Sequence, residues 1–112
     1  MALTYIKRGR VLDYVPSADI PAGTAIKVGA FVGVTNHLIP AGKLGSVELD
    51  GIYSIPLAQG ATFEQGAIVE IDNDGNAAAS GAFKFGFALE PAGTGATEVV
   101  ALLEPTLDAI SG

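Results

Sequence analysis

The chain has 112 residues, enough for one domain with one modest core, and 49% of them are hydrophobic while 16% are charged. That balance excludes a disordered chain, and a charge share below the usual ~25% leaves surface without charged cover, which predicts self-association. No cysteine is present, so disulfides, thiolate metal sites and cysteine nucleophiles are excluded; the single histidine, His37, excludes a His-rich metal site.

The start, Met1 to Arg8, has no apolar core behind a basic head and does not read as a signal peptide. The longest uncharged apolar stretch, Val28 to Val34, is far short of a membrane span, so the expectation is a soluble protein made in a cytoplasm, with no membrane partner. Net charge is −6, spread unevenly: +1 over residues 1–56 and −7 over residues 57–112. An acidic body argues against nucleic acid, whose affinity comes mainly from phosphate neutralisation.

In chain order, Thr4-Tyr5-Ile6 and Val11–Val15 read as strands flanking a basic turn, Lys7-Arg8-Gly9-Arg10, with Pro16 closing the second. Residues 1–15 are therefore an N-terminal arm or a first strand, and residues 16–112 the body of a single domain. Ile20-Pro21-Ala22-Gly23 reads as a turn. From Ala25 to Val34 the chain alternates as one strand, with Ile26, Val28, Val32 and Val34 on one face. Gly29, Phe31 and Gly33 lie on the other, where small residues flatten a strand for close approach, and they are candidates for an oligomer interface. Pro40-Ala41-Gly42 repeats the turn. Ser46 to Leu57 alternates again, interrupted at Gly51 where a bend would help close a small barrel.

Pro56 to Gly66 is the one place for a short helical turn. Ala67–Ile71 is a strand, Asp72 to Asn76 a hairpin turn, and Phe83, Phe85, Phe87 and Leu89 an aromatic stripe for the core. Pro91-Ala92-Gly93 is a third Pro-Ala-Gly turn, followed by a last strand from Thr97 to Leu103. Six to eight short strands with at most one helical turn describe an all-β fold, a small barrel or sandwich.

Motifs for chemistry fail on inspection. Asp72-Asn73-Asp74-Gly75 lacks calcium-loop spacing, since Gly stands fourth and Phe83 twelfth. Gly42-Lys43 lacks the upstream glycine and the following Ser or Thr of a phosphate loop. His37 has no nucleophile elbow near it, and no spacing selects an acid/base pair among Glu64, Glu70 and Glu90. The expectation is a non-enzymatic module without catalytic residues, cofactor or metal.

The order of Ile20-Pro-Ala-Gly23, Phe31-Val-Gly33-Val34, Pro40-Ala-Gly42-Lys-Leu-Gly45, Val47-Glu-Leu-Asp-Gly51-Ile-Tyr53, Gln65-Gly66 and Phe85-Gly86-Phe-Ala88 resembles a family of bacteriophage capsid cement or decoration proteins, over roughly residues 4–105. The resemblance implies a small β-barrel, usually a homotrimer, on the outer surface of the virion head, assembled in the host cytoplasm. There it clamps neighbouring subunits of the major capsid protein. Under that reading Thr4, Tyr5, Ile6, Lys7, Arg8 and Arg10 are capsid-contact candidates, the first three adding a strand to a partner edge and the cations steering toward shell carboxylates. Competing readings are a head fibre base or head-completion protein, and a host β-barrel module binding carbohydrate or peptide.

Overall fold

The structure, a computed structural model, describes residues 10–108. Nine strands follow in order: β1 (Val11–Tyr14), β2 (Ala25–Val28), β3 (Phe31–Val34), β4 (Gly45–Glu48), β5 (Ile52–Pro56), β6 (Ile68–Ile71), β7 (Ala77–Ala78), β8 (Phe83–Ala88) and β9 (Glu98–Leu103). They form two antiparallel sheets, one ordered β1-β4-β3-β2 and one ordered β5-β9-β8-β6-β7. A single parallel bridge, Leu57 to Ala77, draws the two ends of the larger sheet together without closing it. The expected all-β class holds, as a sandwich-like fold and not a closed barrel.

The strand number exceeds the expected six to eight because both long alternating runs divide and a short strand, β7, forms after the Asp72–Asn76 turn. Ala25 to Val34 is a hairpin, not one strand: Val28 pairs with Phe31 and Ala25 with Val34, around a two-residue turn at Gly29-Ala30. Only the first turn residue has positive φ, 59°, which matches a type II′ turn. Ser46 to Leu57 divides at Gly51, whose φ of 125° is closed to other residues and carries the chain from one sheet to the other.

Two expectations about turns are corrected. The helical turn proposed within Pro56–Gly66 is replaced by two tight turns, in which Ala61 N–H donates to Ala58 and Ala67 N–H to Glu64, each at 3.0 Å. Gly60 and Gly66 take φ of 78° and 85° there, which a right-handed helix excludes. The first two Pro-Ala-Gly segments are equivalent, since Ile20 and Ile39 before them bridge each other through two 2.9 Å hydrogen bonds. The third is not: Ala92 bridges Phe63, and the turn forms two residues later in the segment, from Gly93 to Ala96.

The core lies between the sheets. Val32 and Val34 of β3 meet Ile55, Val69, Ile71, Phe85, Ala88, Val99, Ala101 and Leu103 of the larger sheet. Tyr53 stands edge-on to Phe85, with ring centroids 6.0 Å apart. The chain after β9 fastens the layers: Val32 N–H donates to the Pro105 carbonyl and Glu104 N–H to that of Phe85, both at 2.9 Å. Asp108 completes the link. Its carboxylate accepts from Lys27 Nζ of β2 at 2.5 Å and from the Lys84 backbone N–H of β8 at 3.0 Å.

Candidate binding surfaces

Register decides which side chains leave the core. In the larger sheet Ile52 pairs with Leu102, Leu102 with Phe87, and Phe87 with Ile68. Paired residues share a face, so these four form one row across β5, β9, β8 and β6. The row faces outward: Ile52, Leu102 and Ile68 are 62%, 37% and 40% exposed, and Phe87 is half-buried. Phe87 was expected in the core stripe. It leaves the core because β8 carries an extra residue against β6, where Val69 pairs with Gly86 but Glu70 with Lys84. The bulge keeps both Phe85 and Gly86 buried and reverses the alternation beyond them.

The smaller sheet has its own outward face. Since Val32 and Val34 point to the core, Phe31 and Gly33 face away, together with their hairpin partners Val28 and Ile26. Phe31 is 41% exposed, while Ile26 and Val28 are partly so. The three interface candidates thus differ in position. Gly29 is exposed in the hairpin turn, Phe31 stands out from the sheet, and Gly33 is buried beneath Val47 and the Glu48 carbonyl. The loop between β3 and β4 covers the rest of this face with Ile39, whose side chain sits over Gly45.

Of the capsid-contact candidates, Thr4, Tyr5, Ile6, Lys7 and Arg8 lie outside the described residues. Arg10 is exposed at the entry to β1, where its Nε lies 3.2 Å from Asp50 and its carbonyl accepts from Leu49 N–H at 2.7 Å. His37 is exposed in the loop between β3 and β4.

A cavity of about 150 Å³ opens between the sheets, walled by Ala25, Val34, Tyr53, Ile55, Ile71 and Phe85. The Tyr53 hydroxyl donates to the Asp50 carbonyl at 2.9 Å. Burial, and then the carboxylates of Glu48 and Asp50, hold its phenol above the ordinary value, so it retains its proton. The Lys27 ammonium and the Lys84 N–H hold the Asp108 carboxyl below its ordinary value. Both groups serve the fold. Among the described residues no three His, Cys, Asp or Glu side chains gather as a metal ion requires, and no helix is long and apolar enough to cross a membrane.

These features define a small β module with apolar side chains turned outward on both sheets. The family model for phage cement proteins matches residues 6–103, and the chain belongs to that family. No curated protein and no solved structure matches it. Membership gives the chain a structural, capsid-associated role in a phage.

Sequence reasoning missed the outward row. Its four members come from four strands that are mostly not consecutive, and only the register brings them together.

Proposed function

We propose that this protein decorates the outside of a phage head and clamps neighbouring major capsid subunits after the shell expands. The observation that carries the reading is the family match over residues 6–103. Apolar side chains turned outward on both sheets support it, because a clamp acts by contact area and copy number. The protein works as a homotrimer, without cofactor, metal or nucleic acid, and catalyses no reaction. Thr4, Tyr5, Ile6, Lys7, Arg8 and Arg10 form the grip on the shell: the apolar residues supply a strand for an open edge of the capsid protein, and the cations meet carboxylates around it.

Co-sedimentation with purified shells tests this. The protein is expected to pellet with expanded heads and stay in solution with unexpanded ones, and bound heads are expected to break at a higher temperature than bare ones. Equal recovery with both shell forms, or no shift in head stability, would refute the clamp.

A further inference from the structure

We infer that the cavity between the sheets is a binding site for one small uncharged aromatic molecule of the size of benzene. Its origin is the seam that the larger sheet leaves open. Tyr53 and Ile55 come from β5 at one end of that sheet, Ile71 from β6 beside the other end, and Ala25 and Val34 from the β2–β3 hairpin of the smaller sheet. The parallel bridge from Leu57 to Ala77 draws the two ends together, yet no ladder of the described residues joins β5 to β6 or β7. A sheet curled this far without closing leaves room for a ligand at its mouth.

Size and chemistry select the occupant. The space is about 150 Å³, and an apolar space of ~150 Å³ takes one benzene-sized molecule. Val34, Ile55, Ile71 and Phe85 form a buried floor, with Ala25 and Tyr53 as its half-buried sides. The one polar group on these six side chains, the Tyr53 hydroxyl, already donates to the Asp50 carbonyl at 2.9 Å. Water needs several polar partners, so it is held weakly there and an apolar molecule displaces it with a gain. Tyr53 and Phe85 stand edge to face, and a third ring extends the same packing. Among the described residues no charged side chain lines the cavity, and its exposed rim includes Asn36, Ser54 and Gly75. An adjoining cleft shares Ala25, Ile71 and Gly75 with it and adds Asp72 and Asp74. An anionic ring therefore meets an apolar floor and two carboxylates beside the rim, and both disfavour it. Because the walls come from both sheets, only the folded chain binds, and occupancy raises stability by mass action.

The experiment uses the full chain without shells, benzene as the probe, benzoate as its charged counterpart, and Ala25→Leu as the variant that fills the space. Ala25 pairs with Val34 and packs against the core, so a longer side chain there projects into the cavity. Binding is read by methyl NMR and by thermal melting followed with circular dichroism. In wild type, benzene is expected to shift the methyl signals of Val34, Ile55 and Ile71 saturably and to raise the melting temperature. Benzoate is expected to bind roughly tenfold or more weakly. Ala25→Leu is expected to fold and to bind benzene roughly tenfold or more weakly than wild type. Ala25→Val, a smaller filling, takes its place if the leucine variant does not fold. Absence of a saturable shift at these methyls in wild type overturns the inference. So does an undiminished benzene response in the folded Ala25 variant, or benzoate binding as tightly as benzene. Methyl signals that move with protein concentration before any benzene is added would give the cavity to a side chain of a second copy, and overturn it as well.

Discussion

Thr35 shows how much a single polar side chain does here. It is fully buried, and its Oγ1 accepts from Thr24 N–H at 3.1 Å while donating to the Pro21 carbonyl at 2.7 Å. It therefore holds the Pro21–Thr24 turn against the end of β3. Thr35→Val keeps the shape but leaves the Thr24 N–H without its acceptor and the Pro21 carbonyl with the Thr24 hydroxyl alone, and is expected to cost about 1–3 kcal/mol in chemical denaturation. Gly86 marks a different limit. A Cβ there would run into the Leu102 carbonyl of β9, so Gly86→Ala must push two paired strands apart and is expected to cost about 1–3 kcal/mol. Neither role was legible in the sequence. Thr35 carries no local signal of burial, and Gly86 simply falls between Phe85 and Phe87 of the stripe. The bulge that buries Gly86 is a property of the pairing with β6, which no local pattern reports.

Among elements, alternation located the strands but not their faces. Ile26 and Val28 share parity with Val32 and Val34, so one continuous strand would place all four together. A two-residue hairpin turn reverses that parity, sending Ile26 and Val28 outward with Gly33 and Phe31. The turns were half legible. Pro-Ala-Gly caught the eye, yet the recurring unit is a bridging residue followed three positions later by glycine at positive φ. It occurs at Ile20 and Gly23, Ile39 and Gly42, Leu57 and Gly60, Phe63 and Gly66, and Ala92 and Gly95. Proline is dispensable in this unit and glycine is not, because the third residue of a type II turn needs φ > 0. The link between the sheets was not foreseen at all, since Lys27 and Asp108 are 81 residues apart. Its pH dependence follows from the lowered Asp108 carboxyl. A carboxyl whose folded pKa is depressed contributes stability above its unfolded value, near ~3.9, and loses it as pH falls through the folded value. Asp108→Asn is therefore expected to lower stability at pH 7 and to narrow the difference from wild type at pH 3, read by urea unfolding at both.

For the whole molecule, the division between fold and grip can be tested by removal. Among the described residues the main core cluster runs from Val32 to Leu103 and takes no residue from β1. The pairing of β1 with β4, from Val11 to Tyr14, also lies beyond the deletion, as does the bond between Leu49 N–H and the Arg10 carbonyl that continues it. The truncated chain is therefore expected to unfold within a few degrees of wild type, in the range that ~1 kcal/mol or less moves a domain of this size. Shell binding is expected to collapse, because the deletion takes Thr4, Tyr5 and Ile6 and two of the three cations assigned to the grip. Salt separates the two contributions. If Lys7 and Arg8 steer the approach, wild-type association with expanded heads slows as ionic strength rises while dissociation changes little. A truncated protein that pellets with shells as before places the grip elsewhere, and one that fails to fold makes those residues a strand of the sandwich instead of an arm.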